Sequence, residues 1–253
     1  MNFQNATSEQ MSEQLPIGAV IIGRNEGDRL RVCLESVLPF IQAVVYVDSS
    51  STDGSVEMAR GMGAEVLPLD MNTPFTAAKA RNAGYRHLLA MHPQIRFIQF
   101  VDGDCEVVTE WIAAARHYLE SHPDCAAVCG RRRERYPASS IYNRMCDLEW
   151  NTPVGDALSC GGDALLRTEA LTQVEGYRDS LIAGEEPELC LRLRRHGWRI
   201  HRLDQEMTRH DAAITSWKQW WRRTVRAGHA FAEGAWLHGA SPDRHWVRET
   251  VRA

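Results

Sequence analysis

The run Phe97-Ile98-Gln99-Phe100-Val101-Asp102-Gly103-Asp104 ends an apolar stretch in two carboxylates separated by one glycine. Ligands of open α/β sheets bind at the carboxyl ends of buried strands. Residues i and i+2 of an extended chain point the same way, so Asp102 and Asp104 are expected to face one ligand. Two close carboxylates repel, and a hard divalent cation relieves the repulsion through oxygen ligation. A cation held there can in turn grip a diphosphate. The plainer reading is a strand-to-turn junction, where Asp and Gly are common for local reasons.

Three other groups accompany this pair. Asp48 closes the strand-like run Ala43-Val44-Val45-Tyr46-Val47, where a carboxylate can accept from a ribose hydroxyl or a base N–H. Arg81 and Asn82 sit in the helical segment Ala78-Lys79-Ala80-Arg81-Asn82-Ala83-Gly84. Gly184-Glu185-Glu186-Pro187-Glu188-Leu189 gathers acids at a helix start, where they also complement the positive end of the helix. An internal salt bridge is the plain alternative for Arg81.

The elements that must position these groups follow from patterning. Ile17-Gly18-Ala19-Val20-Ile21-Ile22 is continuously apolar, as in a strand covered on both faces. Helical spacing follows at Leu30, Leu34, Val37 and Leu38, closed by Pro39. Strands are expected near 43–47, 64–67 and 97–101, with a helix over 76–91. Alternation of strands and helices predicts an α/β fold with a mostly parallel, doubly wound, Rossmann-like central sheet flanked by helices. Beyond 105 the pattern predicts a helix over 109–121, a strand over 126–130 and an Arg-rich loop over 131–135. It then predicts a helix from Pro187 to His196, a strand over 199–203 and a long helix from Ile214 onward. No Pro/Gly/Ser-rich linker interrupts the chain. One domain is expected over 15–253, with a nucleotide-binding half over about 15–104 and an acceptor-binding half over about 105–253. The polar residues 1–14 read as a disordered tail and lack the order of a signal peptide.

Composition narrows the partners. The chain has 253 residues and a formal net charge of -4, without the basic surface that nucleic acid would favour. No apolar run is long enough to span a membrane. Seven scattered cysteines form no Cys-x-x-Cys pair, which argues against zinc-knuckle and thioredoxin readings. Reduced core thiols and a cytoplasmic location are the default.

Taken in order, these motifs resemble those of family 2 glycosyltransferases over roughly residues 17–230. Val20-Ile21-Ile22-Gly23-Arg24-Asn25-Glu26 resembles the family's opening strand, and Val47-Asp48-Ser49-Ser50-Ser51-Thr52-Asp53-Gly54 its Val-Asp-Asp-Gly-Ser-Thr-Asp-Gly segment. Ala80-Arg81-Asn82-Ala83-Gly84 matches Ala-Arg-Asn-x-Gly, and Asp102-Gly103-Asp104 the Asp-x-Asp motif. Gly161-Gly162, Gly176-Tyr177 and the 184–189 segment resemble the acceptor side. Two departures stand out. Ser49 replaces the second Asp of the Asp-Asp pair, and Glu186 stands where Asp is commoner.

The resemblance implies a GT-A fold and inverting transfer of a sugar from a nucleoside diphosphate, UDP foremost, to a hydroxyl of a carbohydrate or lipid-linked acceptor. Polysaccharide or glycolipid synthesis would be the setting. It places Arg24, Glu26, Asp48, Arg81 and Asp102 at the nucleotide, with Arg81 stacking on or hydrogen bonding to the base. Gly161 and Gly162 are placed at the donor and acceptor, and Mn²⁺ or Mg²⁺ on Asp104 with His210. Metal there would stabilise charge growing on the diphosphate. A general base on the opposite face must take the acceptor proton; Glu186 is the first choice and Glu185 the alternative. The helix start is expected to hold Glu186 ionised. Two other functions fit the same segments less well. A sugar-nucleotide pyrophosphorylase needs a Gly-rich basic loop that 23–27 does not resemble. A non-catalytic nucleotide-sugar scaffold need not keep metal ligand and base together. The loop over 136–150 and the residues near Gly161 are expected to select the sugar.

The C-terminal stretch carries Trp217, Trp220, Trp221, Trp236 and Trp246 among arginines. Trp217, Trp221, Val225 and Gly228 share a helical face, which predicts an amphipathic helix packed on a core. Aromatics beside arginines also suit peripheral contact with the inner face of a membrane.

Overall fold

The apolar runs of the first half become parallel strands. In the computed structural model, which describes residues 17–70, 72 and 75–252, β1 (Ile17–Gly23) lies between β2 (Ala43–Asp48) and β4 (Phe97–Asp102). β3 (Glu65–Pro68) extends β2 at the edge, also in parallel. The tail expected over 1–14 lies outside the described residues. β1 is buried along nearly its whole length, which explains an apolar run without alternation. The connections are α1 (Asp28–Val37), α2 (Ser55–Gly61) and α3 (Ala77–Met91). The Thr76 hydroxyl caps α3 by accepting from Lys79 N.

The sheet continues into the second half but changes character. β4 pairs antiparallel with β8 (Ala164–Arg167), β8 antiparallel with β6 (Cys125–Glu134), and β6 parallel with β9 (Arg199–His210). β5 (Cys105–Val107) and β7 (Gly155–Asp156) each pair antiparallel with β9. The order β3-β2-β1-β4-β8-β6-β9-β5 is one α/β sheet, parallel where sequence alternation was clear and mixed beyond β4. The remaining helices are α4 (Trp111–Ser121), α5 (Ile141–Glu149), α6 (Thr168–Gln173), α7 (Glu185–Arg195), α8 (Trp217–His238) and α9 (Val247–Arg252).

Three expectations need correction. The arginines at 131–133 are not a solvated loop, because β6 runs on to Glu134 beside the equally lengthened β9. The stretch 136–150 is mostly helix α5, capped by the Ser140 hydroxyl, which accepts from Asn143 N. The face of α8 bearing Trp217, Trp221 and Val225 is exposed rather than packed. All seven cysteines are buried free thiols.

Candidate active site

The motif Ala80-Arg81-Asn82-Ala83-Gly84 has a separate physical job at each of three positions. Gly84 presses α3 onto the sheet: a Cβ there would stand 2.4 Å from Val20 Cγ1 and 2.8 Å from Val47 Cγ2. Asn82 clips the 176–179 turn to α3, donating to Tyr177 O (2.7 Å) and Asp179 Oδ1 (2.6 Å) and accepting from Tyr177 N (2.9 Å). Arg81 is buried and reaches toward the end of β4, where its guanidinium meets Asp102 Oδ1 at 2.8 Å, Glu185 Oε1 at 2.8 Å and Glu186 Oε1 at 3.0 Å. The Tyr177 ring lies beneath it, 5.6 Å from the guanidinium carbon. Arg81, expected at the base, is held in this internal ion pair and also lines the cleft. The carboxylates gathered there, partly exposed on β4 and largely buried on α7, need a cation between them.

Asp102 and Asp104 do not share one partner. β4 ends at Asp102, the chain turns through Gly103-Asp104, and β5 begins at Cys105. Asp102 is held by Arg81 on one oxygen and by Arg132 Nη2 on the other, at 3.3 Å. Asp104 instead meets His210 Nε2 at 3.1 Å, at the end of β9. Burial pushes the Asp104 carboxyl up, but the His210 hydrogen bond and charge, with Arg132 and Arg29, outweigh it and hold the group at about 2. Glu26 lies on the same side. Burial and the nearby Asp104 raise its carboxyl above the usual range, against the pull of Arg29.

A divalent cation fits this corner. The Asp104 carboxylate, the His210 imidazole and the Cys105 thiol converge within 4.8 Å. Asp104 stays ionised, and His210 Nδ1 is buried without a hydrogen-bond partner. The Cys105 thiol is fully buried and pushed far above its usual pKa, so the donors available are carboxylate oxygen and imidazole nitrogen. The carboxylate oxygen suits manganese and magnesium alike, whereas the imidazole nitrogen favours the transition metal over magnesium.

Beside the Arg81 guanidinium, α7 begins at Glu185 behind Gly184, whose φ of 79° is left-handed. A Cβ on Gly184 would also come within 2.9 Å of the Trp246 ring. Burial, then the charges of Glu185 and Asp102, push the Glu186 carboxyl up to about 7 against the pull of Arg81. That bears on the expectation that the helix start holds Glu186 ionised: burial, with the charge of Glu185, outweighs the helix terminus. Glu188, one turn on, is a buried anchor for α7, taking Arg192 (2.8 Å), Arg178 (3.2 Å) and His238 of α8 (3.0 Å).

The acids Glu26, Asp102, Asp104, Glu185 and Glu186 line one cleft of about 650 Å³, while His210 is not among the described residues lining it. Arg24, Arg81, Gly103, Gly161 and Gly162 line the cleft with them, and Asp102, Glu185 and Glu186 are gathered around the Arg81 guanidinium. A Cβ on Gly162 would lie 2.5 Å from Arg81 Nη2, 2.9 Å from Asp102 Oδ2 and 3.1 Å from Glu186 Oε1, so the acid cluster requires glycine there. Asp48 is not among the described residues lining the cleft. Its oxygens accept from Tyr46 Oη (3.1 Å) and Ser51 N (3.0 Å), and beside it Ser49 is wholly buried.

Two site residues escaped sequence reasoning. Asp163 is fully buried, accepts from Asp102 N (3.0 Å) and Thr208 Oγ1 (2.7 Å), and pairs with Arg132 at 2.7 Å. Arg132 lies over the Trp150 ring, against which His210 also packs edge-on. The available signal was strand alternation: Arg131 and Arg133 turn to Asp147, while Arg132 turns to Asp102 and Asp163.

The mixed sheet with acids at the end of its fourth strand and at the start of a facing helix defines a nucleotide-sugar transferase architecture. The model of glycosyl transferase family 2 matches residues 19–159, and the chain belongs to that family. Among solved structures it is similar to a mannosyltransferase from Pyrobaculum calidifontis in complex with GDP-Man and Mn²⁺. That match has 18% identity and a TM-score of 0.68, and covers 93% of this chain and 69% of that one. It also resembles mannosyl-3-phosphoglycerate synthase from Rubrobacter xylanophilus, at 14% identity and TM-score 0.63 over 88% of this chain and 74% of that one. Glucosyl-3-phosphoglycerate synthase from Mycobacterium tuberculosis, in complex with Mn²⁺, UDP-glucose and phosphoglyceric acid, matches at 15% identity and TM-score 0.57. There 85% of this chain and 78% of that one are covered.

Proposed function

We propose that this protein transfers a sugar from a nucleoside diphosphate, UDP- or GDP-linked, to an acceptor hydroxyl with inversion at the anomeric carbon. The observation that carries the reading is the pair of acids lining one cleft: an ionised Asp104 backed by His210, and Glu186 with a pKa near neutrality. Solved relatives of the fold hold GDP-Man with Mn²⁺, or UDP-glucose with Mn²⁺ and phosphoglyceric acid.

Asp104 and His210 would hold the divalent cation, which supplies Lewis-acid stabilisation of charge on the leaving diphosphate. Glu186 takes the acceptor hydroxyl proton as the acceptor oxygen bonds to the anomeric carbon. The bond from that carbon to the diphosphate oxygen breaks, and its electron pair leaves with the nucleotide. A base whose pKa lies near the working pH suits this proton transfer. Arg81 fixes Glu186 against Glu185 and Asp102, and Gly162 leaves room for the sugar above them.

A panel of UDP-, GDP- and TDP-sugars, assayed with and without Mn²⁺ for thermal stabilisation and donor hydrolysis, tests the reading. One donor should stabilise the chain only with metal and be hydrolysed slowly. Absence of metal-dependent stabilisation by every donor contradicts it.

A further inference from the structure

Six large apolar side chains stand exposed on two adjoining helices, between 44% exposed for Met145 and 69% for Ile141. Ile141, Met145 and Leu148 follow helical spacing on α5, and Trp217, Trp221 and Val225 do so on α8. The two helices touch: Tyr142 stacks on Trp220 at 5.8 Å, and Arg223 pairs with Glu149 at 2.8 Å. We propose that this two-helix face docks on the surface of an anionic lipid bilayer.

Charge selects this partner. Residues 217–226 carry Lys218, Arg222, Arg223 and Arg226 and no acid, in a chain whose net charge is -4. The α5 acids are already engaged, Asp147 by Arg131 and Arg133, and Glu149 by Arg223. Arg144, Lys218 and Arg222 are exposed beside the apolar stripes. A basic helix with Trp on its apolar face lies in the headgroup region, its cations drawn to anionic lipid. A second copy of the chain fits worse, because a two-fold interface sets the patch against itself and brings cation to cation. Among the described residues no helix is long and apolar enough to cross a membrane, so the contact is peripheral. Glu149, Arg223 and Arg226 also line the cleft, which places its rim beside the docked face. The inference concerns the surface and does not rest on sugar transfer.

The test is co-sedimentation of the full chain with phosphatidylcholine vesicles, with or without roughly a quarter phosphatidylglycerol. Binding should require the anionic lipid, weaken with salt, and quench tryptophan fluorescence when the lipid chains are brominated. Trp217→Ser/Trp221→Ser and Lys218→Glu/Arg222→Glu should each weaken binding about tenfold or more. Melting temperature and nucleotide affinity should stay as in the parent. Failure of the parent to bind anionic vesicles, equal binding by both variants, or a dimer that Trp217→Ser/Trp221→Ser dissolves in the absence of vesicle binding would overturn the proposal. Should a variant lose its fold, quenching of the parent by brominated lipid decides: its absence overturns the proposal.

Discussion

Arg81 Nη1 stands 3.0 Å from Glu186 Oε1, and the same guanidinium holds Glu185 and Asp102. One cation from α3 thus joins the end of β4 to the start of α7. The two elements are fixed to each other through it.

Arg81→Ala should therefore act first on stability. It leaves Glu185 and Glu186 facing each other without a counter-charge and Asp102 with Arg132 alone, and removing one partner of a buried ion pair costs about 3–5 kcal/mol. Urea unfolding measures the loss. Full stability with weakened nucleotide affinity would return Arg81 to the base-binding role that its motif suggests.

Glu186 sets the pH dependence. Its carboxyl is pushed up to about 7 by burial and by Glu185, so the base form appears as pH rises through that value. Transfer rate should climb over the same range and level off above it. Stability runs the other way. Between the ordinary carboxylate pKa and about 7 the folded state holds a proton that the unfolded state has lost. The contribution from Glu186 is therefore fully present at lower pH and disappears as pH rises through about 7. Glu186→Gln should flatten this part of the stability curve, measured by thermal melts from pH 4 to 8. An unchanged curve would place the titration elsewhere.

Asp104→Ala should abolish the metal dependence of nucleoside diphosphate binding, because the cation loses its ionised oxygen donor. His210→Ala should raise the Mn²⁺ concentration needed by roughly tenfold or more. Calorimetry with UDP and GDP across a Mn²⁺ series reads both. Metal-dependent affinity equal to the parent's in Asp104→Ala would remove the cation from this corner.

Gly162→Ala brings a methyl within 2.5 Å of Arg81 Nη2 and 2.9 Å of Asp102 Oδ2. Those atoms are fixed by ion pairs and cannot swing aside freely. A loss of about 1–3 kcal/mol is expected from overpacking, with a larger fractional loss of turnover. Gly161→Ala, with open space at its Cβ, is the control and should leave stability unchanged.

The parallel half of the sheet was legible because continuous apolar runs such as Ile17–Ile22 have few alternatives, and the Asp102–Asp104 and Glu185–Glu186 acids that the motifs single out line one cleft. What each acid touches was not legible. Arg81 is separated from Glu185 by 104 residues, and no local pattern shows that one guanidinium will hold acids from two elements. Arg132 was hidden in a basic run that resembles a solvated loop until β9 pairs with it. The stripe of Trp217, Trp221 and Val225 has the spacing of a packed helix, and spacing alone does not say whether the chain folds anything over it.

The most direct test of the catalytic assignment is the transfer rate of Glu186→Gln set beside its donor affinity. The amide keeps the size of the side chain but cannot take the acceptor proton. Turnover should fall by roughly a hundredfold or more while metal-dependent donor affinity stays close to the parent's and the melting temperature matches the parent's at pH 4, where both side chains are neutral. Glu185→Gln, measured alongside, should lose stability through its bond to Arg81 more than it loses turnover per folded molecule. Transfer by Glu186→Gln at the parent rate would contradict the assignment of Glu186 as the base.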